Sequence, residues 1–224
     1  MLTRDIQAQL DALPLQSDQP LIVTDADEVI AQFIVGLEGF LTRNGFWLDL
    51  QSFAISGNVK RAEDHSVVER AEVQELLAQF FAADTESLLP VPGAADALSA
   101  LSKRTQIIVL SNVPQPQRAA RQRWLRQHGM DYPLVANSGP KGAAVRHLRS
   151  NIKAPIFFLD DLPPNLASVS ELVEDVHLLH FIADSRLAAL MGPAPDCHLH
   201  TTSWDDAHAY IAQTLDLAGF TGPQ

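Results

Sequence analysis

Two carboxylates one residue apart, Asp25 and Asp27, follow directly on the apolar run Leu21-Ile22-Val23-Thr24. Further along, Gln106 to Leu110 ends in Ser111-Asn112, Lys141 stands shortly after Leu134 to Ala136, and Ile156 to Leu159 ends in Asp160-Asp161. Short continuous apolar runs read as strands buried on both faces. Ligands of parallel sheets bind beyond the carboxyl ends of such strands. Four carboxylates gathered at one sheet edge would repel one another unless a cation joined them, and hard carboxylate oxygens favour Mg²⁺ over zinc or copper. A hydroxyl and a lysine beside them could hold the oxygens of a phosphoryl group.

The elements that must position these residues can be read from periodicity and punctuation. Residues 3 to 13 read as a short surface helix closed by Pro14. After Val29, apolar residues at Ile30, Phe33, Ile34, Leu37, Phe40 and Leu41 recur at helical spacing up to Asn44-Gly45. From Phe46 to Leu89 the chain reads as helical or irregular, with no strand series, until Pro90-Val91-Pro92-Gly93 punctuates it. Strands and helices then alternate: helix 94 to 101, helix 116 to 128 with its Arg and Gln on a wet face, and helix 142 to 150. Helix 165 to 173, strand 176 to 182, an edge strand near 197 to 200 and a helix from 204 to 217 follow. The expectation is an α/β fold, a Rossmann-like parallel sheet with helices on both faces. Residues 1–31 and 91–224 would form the core, and residues 32–90 a small helical cap inserted after the first strand.

Each chemical candidate also has a plainer reading. Asp25 and Asp27 could cap a turn or helix, and Asp160 or Asp161 could cap the helix near Pro163-Pro164. Ser111-Asn112 could be loop, and Lys141 a solvated lysine at a helix start. Gly139-Pro140-Lys141-Gly142 lacks the spacing of a nucleotide P-loop. His177, His180, His198 and His200, with Cys197, suit alternating strand positions better than a metal site. Phe33, Phe40, Phe46 and Trp47 read as cap core, with one of them facing the crevice.

Taken in order, strand–DxDxV, strand–Ser, Lys and strand–DD resemble the four motifs of the haloacid dehalogenase-like hydrolase superfamily, over residues 20 to 182. The helical insertion resembles its type 1 cap. The resemblance implies a phosphatase in which Asp25 attacks phosphorus and Asp27 is general acid and then base. It assigns the phosphoryl group to Ser111, Asn112 and Lys141, and Mg²⁺ to Asp25, the backbone carbonyl of Asp27, Asp160 and Asp161, with Asp161 favoured of the last two. Dehalogenases of the superfamily need no acid at the position of Asp27, so its presence argues for phosphoryl chemistry. A phosphotransferase or phosphomutase, or a non-catalytic binding relative, are the alternatives. Glu28 departs from the pattern, standing where many relatives carry glycine.

Bulk composition narrows the partners. The 224 residues carry a formal charge of −11, which argues against a nucleic-acid backbone. With 46% hydrophobic and 19% charged residues, the chain reads as an ordinary globular one. Cys197 is the only cysteine, which favours a reducing compartment. Without a signal-like or membrane-length apolar run, the expectation is a cytoplasmic protein. Its partner would be a small phosphorylated metabolite, with neither nucleic acid nor membrane; a homodimer is left open.

Overall fold

A computed structural model describes residues 2–221. Helix α1, Arg4–Asp11, starts at Thr3, whose hydroxyl accepts from the amide of Ile6, and packs Ile6 and Leu10 inward. Strand β1, Leu21–Thr24, is wholly buried. The next segment holds α2 (Phe33–Arg43), β2 (Phe46–Leu48), β3 (Val59–Arg61) and α3 (Arg70–Asp84), followed by α4 (Ala94–Leu101) and β4 (Gln106–Ser111). Then come α5 (Arg118–Gln127), β5 (Leu134–Ala136), α6 (Gly142–Arg149), β6 (Ile156–Asp160), α7 (Pro163–Leu172), β7 (Val176–Phe181), α8 (Ser185–Ala188), β8 (Leu199–Thr201) and α9 (Trp204–Leu217).

Six strands form one parallel sheet in the order β5-β4-β1-β6-β7-β8. The chain builds outward from β1 through β4 to β5, then returns to the other side of β1 for β6. That reversal opens a crevice at the carboxyl ends of β1, β4 and β6, which is where Asp25, Ser111 and Asp160 stand. Side chains of successive strand residues alternate between two cores. Ile22, Val109, Phe157 and Leu159 join Trp124, Trp204 and Ile211 from α5 and α9 on one face. Leu21, Val23, Ile108 and Phe158 join Ile6, Val145 and Val169 from α1, α6 and α7 on the other. Both faces are covered, as an all-parallel sheet requires.

The expectation of no strands in the inserted segment is corrected: β2 and β3 pair antiparallel. Three-residue strands are too short to display a period of two, so the sequence pattern could not reveal them. Cross-strand side chains meet across the pair. Lys60 lies opposite Trp47 and sits 5.2 Å from its ring, and Arg61 lies opposite Phe46 at 5.6 Å, two cation–π contacts. The two ends of the segment leave the sheet side by side: Gln32 donates to the Leu89 carbonyl and Val91 to that of Ile30, both at 2.9 Å. Residues of α2 and α3 such as Ile34, Phe40 and Phe80 continue the buried cluster that contains Ile22.

Gly142 lets α6 approach α7 and so places Lys141. A Cβ there would lie 2.0 Å from the backbone oxygen of Ser168. Gly142→Ala should therefore cost about 1–3 kcal/mol through forced separation of the helices, read as a lower denaturant midpoint with an unchanged m-value.

Candidate active site

Asp25 sits one residue past β1, its amide donating to the Leu159 carbonyl at 2.8 Å. The chain then turns sharply, with the amides of Ile30 and Ala31 returning to the Ala26 carbonyl at 2.9 and 2.8 Å. This turn puts Glu28 in the left-handed region, at φ 59°, where a glycine would meet least strain. Glu28 compensates with its side chain. One carboxylate oxygen accepts from the amide of Ile34 in the first turn of α2 at 2.7 Å, and the other from the amide of Asp184 at 2.8 Å. Burial pushes the Glu28 carboxyl up to about 7. The residue that broke the sequence pattern is thus a brace between the strand end, the inserted segment and the loop before α8.

Lys141 is fully buried. Its ammonium lies 2.7 Å from Asp25 Oδ1 and donates to Asp160 Oδ2, also at 2.7 Å. The Asp25 contact is outside hydrogen-bond geometry, leaving Oδ1 with an ionic partner only. Burial alone would lower the lysine pKa, but Asp160 and Asp25 outweigh it and hold it above the ordinary value. Burial pushes Asp25 up to about 7 despite Lys141, with Asp160 and Asp27 adding to the rise. Asp161 is likewise raised, first by burial and then by Asp160 and Asp25.

Three acids therefore share one lysine. One oxygen from each of Asp25, Asp160 and Asp161 lies within 4.8 Å of the others. Both oxygens of Asp160 are occupied: Oδ1 accepts from the Leu162 amide and from Asn165 Nδ2, each at 2.9 Å, and Oδ2 takes Lys141. Asp161 has no side-chain hydrogen bond among the described residues. This excess of hard, buried oxygen donors fits a divalent cation such as Mg²⁺, with Asp161 and Asp25 the freer ligands. His180 braces the same loop. Its Nδ1 accepts from the amide of Ala194, so its Nε2 carries the proton and donates to the Asp161 carbonyl at 3.0 Å.

Asp27 is turned to a partner that the sequence reading placed elsewhere. Arg121 Nη2 donates to Asp27 Oδ1 at 2.7 Å. Arg121 is completely buried, which corrects the expectation that the arginines of this helix are all on its wet face. The signal was present, since Arg121 lies three residues before Trp124 and four before Leu125, on the apolar face of α5. Its Nε and Nη1 have no partner among the described residues. Its guanidinium lies 5.5 Å from the Trp124 ring centroid.

Ser111 is buried, and its hydroxyl oxygen accepts from the amide of Val113 at 3.1 Å. Asn112 reaches across to the Gly139 carbonyl at 3.1 Å and accepts from Asn137 at 2.8 Å, tying the ends of β4 and β5 together. Asp25, Asp27, Asn112 and Asp161 line one cavity of about 300 Å³. Phe33 is the one of the four aromatics that also lines it; Phe40 is core, and Phe46 and Trp47 take Arg61 and Lys60. A larger cavity, about 490 Å³, lies beside the linkers against Gly93 and Trp204 and does not include Asp25. The histidines pair off, with ring centroids 5.3 Å apart for His177 and His198 and 4.6 Å for His180 and His200. Among the described residues they do not form a ligand cluster.

Two expectations follow. Arg121→Ala would leave Asp27 without its buried partner and should cost on the order of 2–4 kcal/mol in urea unfolding. Arg123→Ala, two residues on in an exposed pair with Glu86, should cost about 0–1 kcal/mol. The second concerns protons. The folded state raises Asp25 from the ordinary 3.8 to about 7, so it binds more protons than the unfolded chain, and stability without a divalent cation falls as pH rises through that window. Mg²⁺ should raise the melting temperature more at pH 8 than at pH 5, and Asp161→Asn should remove most of that increment.

No protein-family model matches the chain, and no curated protein matches it. Solved structures do. A HAD-family hydrolase from Deinococcus radiodurans R1, solved with bound phosphate and sodium, aligns over 93% of this chain and 100% of its own, with TM-score 0.59 and 17% identity. A haloacid dehalogenase-like protein of unknown function from Agrobacterium tumefaciens C58 aligns over 87% and 98%, with TM-score 0.58 and 14% identity. A putative β-phosphoglucomutase from Thermotoga maritima aligns over 88% and 100%, with TM-score 0.55 and 14% identity. The architecture that positions Asp25, Lys141 and Asp160 is the fold of the haloacid dehalogenase-like hydrolases.

Proposed function

We propose that the chain is a Mg²⁺-dependent phosphohydrolase acting on small phosphate monoesters through a phosphoryl-Asp25 intermediate. The observation that carries this reading is the buried lysine joining Asp25 to Asp160, with Asp27 two residues on and facing the same cavity. Residues 32–90 act as a cap over a core of residues 1–31 and 91–224, and their apolar wall limits the access of bulk water to the reacting group.

Asp25, Asp160, Asp161 and the backbone carbonyl of Asp27 would hold the cation, which when bound offsets the repulsion between an anionic nucleophile and an anionic phosphate. An Asp25 oxygen attacks phosphorus as the bond to the ester oxygen breaks. Lys141 fixes Asp25 and neutralises charge accumulating beside it. Asp27 gives its proton to the departing alkoxide and later takes one from the water that attacks the phosphoryl-Asp25. Arg121 holds Oδ1 of Asp27 and leaves Oδ2 free of protein hydrogen bonds among the described residues. Ser111 and Asn112 receive the equatorial phosphoryl oxygens. The fold is shared with a putative β-phosphoglucomutase, but a mutase must also seat a second phosphate. No lysine or arginine lines this cavity to receive one, which favours water as the acceptor.

Phosphate release from a panel of monoesters with and without Mg²⁺ tests the reading. Metal-dependent turnover is expected, and Asp25→Asn should remove it by a factor of at least about 10³ with the fold retained by circular dichroism. Absence of turnover for every monoester, or chloride release from short 2-haloacids instead, would overturn it.

A further inference from the structure

The cavity above the carboxylates is walled by residues that no step of the chemistry needs. Phe33 and Ile34 from α2, Phe53 and Ile55 from the loop joining β2 to β3, and Phe81 from α3 converge on it from the inserted segment, opposite Asp25 and Asp161. Phe33 and Phe81 pack at 5.8 Å between ring centroids, so this wall is a joined aromatic surface. The inserted segment brings no cation to it. Residues 32–90 contain four, Arg43, Lys60, Arg61 and Arg70. The first three are engaged by Asp84, Asp49 and Glu72, and none of the four lines the cavity. Arg186, which precedes the lining residue Leu187, is held by both Asp184 and Glu38.

We infer that the substrate is a phosphate monoester whose alcohol portion is apolar and uncharged, an aryl or short branched alkyl group, and that Phe53 and Phe81 are the residues that select it. The inference rests on the phosphohydrolase reading above and gives it a substrate class. A second phosphate or a carboxylate on the alcohol would face aromatic carbon and the carboxylate of Glu28, and the inserted-segment wall offers it no cation. A polyol would lose hydrogen bonds to water that the wall cannot replace. An apolar group instead covers surface that is otherwise hydrated. The reaction balances as simple hydrolysis: the ester oxygen leaves with a proton as the free alcohol, and water supplies the oxygen of the released inorganic phosphate.

The test compares kcat/KM of the Mg²⁺-loaded protein for benzyl phosphate, glycerol 3-phosphate, glucose 6-phosphate and fructose 1,6-bisphosphate. All are primary or near-primary alkyl esters, so leaving-group chemistry does not set the order. Benzyl phosphate should lead by about 10- to 100-fold, the factor that burial of one aromatic ring supplies. Phe53→Lys should reduce that lead at least tenfold and improve turnover of the bisphosphate. A binding readout runs beside it: benzylphosphonate should raise the melting temperature of the Mg²⁺-loaded protein more than methylphosphonate does. Turnover with glycerol 3-phosphate or the bisphosphate equal to or above benzyl phosphate overturns the substrate class and leaves the phosphohydrolase reading standing. Failure to turn over any of the four, with equal shifts from the two phosphonates, overturns both.

Discussion

A fully buried lysine ammonium, 2.7 Å from each of two aspartates, is the constraint from which the rest of this structure can be read. A buried cation persists only if its compensation is close and fixed. Here the compensation comes from two adjacent strands, because β1 and β6 pair directly and end together. Lys141 itself arrives from α6, which Gly142 allows to press against α7. Asp160 holds Lys141 on one oxygen and the start of α7 on the other. Asp25 and Asp161 add two more buried carboxylates to the same cluster, an excess of hard oxygen donors over the one lysine that a divalent cation could offset.

The same reasoning separates the two acids after β1. Asp25 is surrounded by acids and one lysine; Asp27 is held at one oxygen by a buried guanidinium from α5. Two carboxylates one residue apart on a turn point in different directions and meet different partners, so they can serve as nucleophile and proton carrier. Glu28, next in line, gives both oxygens to the amides of Ile34 and Asp184 and so stitches three backbone segments at the base of the inserted segment. The paired linkers and this carboxylate thus join residues 32–90 to the sheet edge.

Much of this was legible in the sequence because the relevant forces are local. Apolar runs announced β1, β4, β5, β6 and β7 in chain order, and the edge strand near 197 to 200 and the helix from 204 to 217 lie close to where they were expected. The strand-end polar residues were legible because a parallel sheet exposes only its ends. What escaped had non-local causes. The β2–β3 hairpin pairs residues more than ten positions apart, with cation–π contacts across it. The burial of Arg121 depends on Asp27, 94 positions away, although its helical phase with Trp124 and Leu125 was on the page. Glu28 departed from the pattern because its backbone strain is balanced by amides of Ile34 and Asp184, which no local rule connects to it.

The central claim is that Asp25 takes the phosphoryl group. The most direct measurement is a single turnover with Mg²⁺ and excess protein, quenched and reduced with borohydride, then mapped by peptide mass spectrometry. Borohydride reduces an acyl phosphate to the alcohol, so the account predicts that homoserine appears at position 25 and at no other aspartate. Release of phosphate with Asp25 unmodified throughout, or reduction at Asp27, Asp160 or Asp161 instead, would contradict it.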